Sequence, residues 1–157
     1  MGRFASGVTI VTTVRDGVVS GMTANSFVSV SLEPQLVLVS LAHSSRMRDL
    51  LQETGRYAVS VLAEEQEPLS RHFAGLAHHA VEPVFEWRAE LPLVEGALAH
   101  LCCRVVDAHP AGDHMLYVGE VEDLAYREGR PLLFYAGSYR TLGGSEAPPG
   151  AAMTTVI

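Results

Sequence analysis

Short apolar runs rich in β-branched residues, separated by turn signals rather than by long helices, set the architecture open to this chain. Residues 8–14 read VTIVTTV, and after Arg15-Asp16-Gly17 the same character resumes in VVSGMTA. An Asp-Gly pair between two such runs is a hairpin signal, because both turn residues must adopt positive φ. Gln35 to Leu41 (QLVLVSL) follows Glu33-Pro34 and is nearly continuous, which predicts a strand buried on both faces at the centre of the sheet. Tyr57 to Leu62 (YAVSVL) alternates as a further strand. Ala97 to Ala108 and Met115 to Ala125 flank Pro110-Ala111-Gly112-Asp113, a turn composition, and predict a long hairpin, with Leu132 to Tyr135 as a last short strand.

Helical signals are few. Ser44 and Ser45 precede MRDLLQET and Gly55, which supplies an N-cap, apolar Met47, Leu50 and Leu51 at helical spacing, and a C′ glycine, so a helix is expected over about 45–54. EEQEPLSRHFAG reads as a short helix that starts acidic, carries Pro68 in its first turn and ends at Gly75. Residues 76–95 lose periodicity, and with Pro83, Pro92 and the lone Trp87 they read as an ordered surface excursion in which Trp87 packs. About seven short strands and two or three helices, without regular βαβ alternation, predict a mainly β fold with helices, an antiparallel barrel, and disfavour a Rossmann fold. Residues 1–142 form the expected domain, and the Gly- and Pro-rich stretch 143–157 a flexible tail.

The 157 residues suffice for one core without disulfide or metal staples, since a chain of this length can bury roughly 68–70% of its unfolded surface. All eleven basic residues are Arg against eighteen acidic ones, a net charge of −7. That balance excludes a nucleic-acid footprint, and the absence of Lys excludes both a Walker A loop and a Schiff-base lysine. No apolar run reaches the ~18 residues of a membrane span, and MGRFASG lacks the apolar core of a signal peptide, so a cytoplasmic protein with no membrane partner is expected. Cys102 and Cys103 are adjacent, and on a strand they would point to opposite faces, which suits packing rather than a disulfide or chelate. The common dinucleotide, hydrolase and zinc signatures are absent. His78 and His79, with His72 nearby, read as neighbouring histidines of a polar loop and His43 and His100 as lone ones, so no metal site is expected.

Three segments carry polar residues that packing alone does not explain. Ser20 to Ser29 (SGMTANSFVS) ends a strand in small hydroxyl and amide residues, leaving main-chain N–H groups able to bond the rim of a flat heterocycle or an anion. A turn with side-chain caps is the simpler alternative. Ser40 to Arg46 (SLAHSSR) runs a strand into a helix N-terminus with two hydroxyls and a guanidinium, which makes either a phosphate site or a plain N-cap. The Gly112-Asp113-His114 bend could aim one imidazole at a ligand.

The order and wording of these segments resemble the short-chain flavin reductase family. The matching stretches are RFASGVTIVTT at 3–13, GMTANSFVSVSLEPQLVLVSL at 21–41, Ser44-Ser45, YAVSVLAEEQEPLSRHFAG at 57–75, GALAHLCCRV at 96–105 and GDHMLYVGEVE at 112–122. The resemblance covers nearly the whole chain apart from 76–95 and the tail. It implies the FMN-binding split barrel, a homodimer, and NADH- or NADPH-dependent reduction of FMN or FAD for a separate monooxygenase. Carried over residue by residue, Met22, Thr23, Ala24, Asn25 and Ser26 would line the isoalloxazine through their main chain, and Ser40, Leu41 and Ala42 would continue that wall. Ser44, Ser45 and Arg46 would hold the phosphate, and Phe73 and Ala74 would approach the flavin from a helix end. His114 would approach the nicotinamide as the catalytic-site histidine, with Tyr139 on the same side.

Two departures accompany the resemblance. Family members have a longer helical lead before RFASG, so a misassigned start or a short first helix is expected, and Ala42-His43 stands where many members carry a charged residue. Hydride transfer from nicotinamide to flavin demands stacking of two rings more than an acid or base, which suits a site of main-chain N–H groups and small residues. The alternatives on the same fold are a non-catalytic FMN-binding protein and a pyridoxamine-phosphate-oxidase-like enzyme. The latter should offer several basic residues to its anionic substrate, whereas only Arg46 and Arg48 cluster here.

Overall fold

A computed structural model describes residues 2–76 and 81–143. After a turn and bend over residues 2–5 the chain forms β1 (Ser6–Gly7), β2 (Thr9–Arg15), β3 (Val18–Ala24), β4 (Phe27–Leu32) and β5 (Gln35–Ala42). Helix α1 (Arg46–Thr54), β6 (Arg56–Val61), a 3-10 turn over Glu64–Gln66 and α2 (Glu67–Phe73) follow. The chain continues through β7 (Phe85–Arg88), β8 (Leu91–Val94), β9 (Ala99–Ala111), β10 (His114–Tyr126), β11 (Leu133–Tyr135) and β12 (Ser138–Arg140). The expected hairpin is present: Asp16 and Gly17 have φ of 52° and 75°, the angles a two-residue type I′ turn requires. Ser45 caps α1 and Gly55, at φ 66°, closes it, as their residue types predict. Among the described residues, no helix is long and apolar enough to cross a membrane.

Seven strands form one antiparallel sheet in the order β3-β2-β6-β9-β10-β5-β4, with β1-β11-β12 and β7-β8 as smaller sheets. The barrel is not closed: β3 and β4 stand at the two edges of the large sheet. Helix α1 lays Met47, Leu50 and Leu51 against Val11, Val39, Leu41, Tyr57, Val59 and Tyr117 to make the main core. A second cluster, Val8, Ile10, Leu62, Val94 and Leu132, gathers Phe73 of α2, Phe85 of β7, Phe134 and Tyr139. In the main core a side chain at Gly119 would collide with the Tyr57 hydroxyl, its Cβ lying 2.2 Å from that oxygen, so only glycine lets β10 pass over this buried ring.

Three expectations need correction. β5 is not the centre of the sheet but lies next to an edge, and its burial alternates, because Val37, Val39 and Leu41 face the core under α1 while the residues between them are only half-buried. The strand buried on both faces is β6, whose residues 57–60 are all buried. Its second cover comes from β8, within the stretch expected to be a surface excursion: β8 is buried throughout and packs Leu91 and Leu93 on Ala58 and Cys102. Thr12 Oγ1 donates to the Pro92 carbonyl and the Val94 N–H to Ser60 Oγ (3.0 Å), pinning this hairpin to the large sheet. Trp87, expected to pack, is 54% exposed on β7.

Cys102 and Cys103 behave as read: both are buried and point to opposite faces, into different clusters. Burial pushes the Cys103 thiol up to about 12, which leaves it a packing group rather than a nucleophile. The expected tail, apart from Gly143, and His78-His79 lie outside the described residues.

Candidate active site

The three polar segments singled out from sequence meet at one end of the large sheet. β3 ends at Ala24, and Asn25 and Ser26 carry the chain into β4, whose Phe27 pairs with Val39 of β5. Ser26 Oγ donates to the Ser40 carbonyl at 2.7 Å, so the first segment is tied to the second. β5 ends at Ala42, which pairs with His114, the first residue of β10. The His43 N–H donates to the Asp113 carbonyl (2.9 Å), which ties the third segment to the same corner. Ser45 then reaches back to β3, its hydroxyl 3.4 Å from the Met22 sulfur.

Within this corner the candidate residues divide. Ser44 and Arg46 are exposed and have no hydrogen-bond or ion-pair partner among the described residues, so a hydroxyl and a guanidinium stand open beside the first turn of a nine-residue helix. Ser45 instead accepts from the Met47 N–H (3.2 Å), so its hydroxyl is committed to capping. The Leu41 side chain is fully buried in the main core, which leaves its main chain at the corner. Ala24 is also buried, its carbonyl accepting from Thr9 Oγ1 at 2.8 Å. The Asp113 carboxylate lies 2.7 Å from His114 Nδ1, and this bond and the imidazole's charge, with a smaller part from His43, hold it below its ordinary range. Asp113 thus orients an imidazole whose side chain is 42% exposed.

A second concavity opens on the other side of the β3 end. It is a groove of about 540 Å³, within the range of small-molecule sites, lined by Thr23, Asn25, Ala74, Tyr139 and charged Glu67, Arg71 and Arg140. Tyr139 is fixed there: its hydroxyl shares a hydrogen bond with Ser70 Oγ (2.8 Å), Phe134 meets its ring edge-on, and the Arg71 guanidinium lies 4.9 Å above it. Phe73 is not a groove wall but a prop beneath β3, pressed so closely on Gly21 that a Cβ there would lie 2.6 Å from its ring. Tyr139, Thr23 and Asn25 line the groove, and His114 sits beside Ala42 in the α1 corner. Glu67, Arg71 and Arg140 were not singled out from sequence, where the only signal is the i,i+4 spacing of Glu67 and Arg71.

The residues present fit a flat heterocycle with a phosphate arm. Among the described residues β3 pairs only with β2, so its other edge offers main-chain N–H and C=O groups over Met22–Ala24. Met22 of this strand meets Ser45 beside Ser44 and Arg46, and Thr23 lines the groove.

Comparison with known proteins gives the family. The family model described as "Flavin reductase like domain" matches residues 1–143. The chain is 57% identical over 145 residues to an NADH-dependent flavin reductase of Rhodococcus sp, covering 90% of this chain and 82% of that protein. It is 40% identical over 143 residues to the reductase component of a 4-hydroxyphenylacetate 3-monooxygenase of Thermus thermophilus, covering 90% and 92%. Among solved structures it superimposes on the flavin reductase PheA2 in its native state with a TM-score of 0.89 and 46% identity, covering 91% and 94%. The expectation of an antiparallel split barrel stands on this likeness.

Proposed function

The chain belongs to the flavin reductase-like family, and on that premise we propose that it moves a hydride from NADH to FMN or FAD and supplies reduced flavin to a partner flavin-dependent monooxygenase. The observation that carries the reading is the convergence of the β3 edge, the β5–α1 corner and the β9–β10 bend on one site. When bound, the nicotinamide supplies the hydride and the isoalloxazine accepts it. The protein's part is placement, which is sufficient for a reaction between two rings held in contact.

In this reading the main chain of Met22–Ser26 and of Ser40–Ala42 receives the isoalloxazine rim. Ser44 and Arg46 hold the phosphate together with the first-turn N–H groups of α1, while Ser45 keeps those groups in position by capping. His114, steadied by Asp113, bonds the nicotinamide carboxamide or the diphosphate. Tyr139 receives the dinucleotide from the groove side, and Phe73, through Gly21, sets the height of the β3 edge.

Residues 1–142 act as a single cytoplasmic domain that works as a homodimer. The dimer is supported by β4, an edge strand with Val28 and Leu32 each 52% exposed, a surface that an isolated subunit would have to protect. The experiment is anaerobic oxidation of NADH by the purified protein with excess FMN, FAD or riboflavin, following flavin bleaching. Bleaching over many turnovers is expected; bound flavin that NADH does not reduce would leave a flavin carrier instead.

A further inference from the structure

The groove between α2 and β12 has a charge arrangement that placement of two rings does not require. Glu67 uses a single carboxylate oxygen for Arg71: Oε1 takes both Nε (2.7 Å) and Nη2 (2.6 Å), and Oε2 has no partner among the described residues. The Arg71 guanidinium is fixed from two directions, by that carboxylate and by the Tyr139 ring 4.9 Å away. Arg140, also in the lining, donates only to the Tyr139 carbonyl at 3.2 Å and has no carboxylate within reach among the described residues. The groove therefore holds one open carboxylate oxygen of the Glu67–Arg71 ion pair and one open cation, Arg140, beside the Tyr139 ring.

A carboxylate oxygen facing a groove accepts from vicinal hydroxyls, a free guanidinium receives a phosphate, and an aromatic face receives a base or an apolar sugar face. Together these are the complement of a ribose carrying a diphosphate. A phosphate in place of one ribose hydroxyl would lose the donor that hydroxyl gives Oε2 and would compete with Glu67 for Arg71, which the carboxylate and the Tyr139 ring already engage.

We propose that Glu67 is a specificity-determining residue for the hydride donor, accepting a ribose hydroxyl of NADH in the α2–β12 groove and rejecting the additional phosphate of NADPH. The inference rests on the NADH-dependent reading above and says where in this chain the choice between the two donors is made. Glu67→Gln keeps the size of the side chain and an acceptor oxygen while removing the charge.

The test compares kcat/KM for NADH and NADPH in the wild-type protein and in Glu67→Gln, with equilibrium binding of NAD+ and NADP+ measured by calorimetry on the same samples. The expected result is a wild-type preference for the donor without the extra phosphate that falls about fivefold to tenfold in Glu67→Gln, mostly by improvement with NADPH. The same narrowing is expected between NAD+ and NADP+, and it should be weaker at high salt. A variant that oxidises NADH normally with an unchanged ratio would overturn the inference and leave the reductase reading intact. If the wild type turns over with neither donor, the reductase reading fails, and the NAD+ to NADP+ binding ratio still decides the role of Glu67: an unchanged ratio, or no binding of either, overturns it. Glu53→Gln, whose ion pair with Arg15 lies outside the groove, serves as the control and should leave both ratios alone.

Discussion

The two helices meet the sheet in opposite ways. α1 buries Met47, Leu50 and Leu51 in the main core, spends its capping serine on its own first turn, and leaves Arg46, next to Ser44, open at its start. α2 fully buries only Ser70, holds Phe73 against Gly21, and turns Glu67 and Arg71 toward a groove. A helix that is mostly core can offer a ligand little but main chain and a fixed phosphate cradle. A helix that is mostly surface can offer charge, and charge distinguishes ligands that differ by one phosphate. The α1 side is thus suited to the common part of any flavin, and the α2 side to the choice of donor.

The sharpest way to break this contrast is through stability. Leu51→Ala should cost about 2–5 kcal/mol in chemical denaturation, because it empties a fully buried position in the main core. Leu69 of α2 is only partly buried against the second cluster, and Leu69→Ala should cost clearly less. Equal losses would mean that α2 anchors the fold as α1 does. A smaller effect sharpens the contrast on the ligand side. His114→Ala removes an imidazole near the α1 corner that makes no core contact, and it should raise KM for NADH about fivefold, the worth of one hydrogen bond, while leaving the flavin dissociation constant unchanged. Equal weakening of flavin binding would place His114 on the flavin rather than on the nicotinamide.

Local signals in the sequence carried far. Asp16-Gly17 specifies its turn, and Ser45 and Gly55 bound α1 by chemistry that acts within a few residues. The three polar segments could be named because their hydroxyls and amides have no place in an apolar strand. What escaped depends on distant partners. β5 reads as central by its apolar run, but its place beside an edge follows from which strands pair with it, and nothing local encodes that. Residues 91–94 are too few to show a period and include Pro92, yet they are buried because β6 and β9 present a second apolar face for them to cover. Glu67 and Arg71 escaped because an i,i+4 pair on a short helix looks the same from sequence whether it faces solvent or a groove.

The proposed seat of flavins at the α1 corner, held by main chain and by an open phosphate cradle, is tested by the pair of dissociation constants for riboflavin and FMN, from flavin fluorescence, in the wild-type protein and in Arg46→Ala. One charge-assisted contact to the phosphate should give FMN an advantage that shrinks about tenfold in the variant, with riboflavin binding unchanged. Equal weakening of both flavins, or no change in either, would contradict the placement of the phosphate at Ser44 and Arg46.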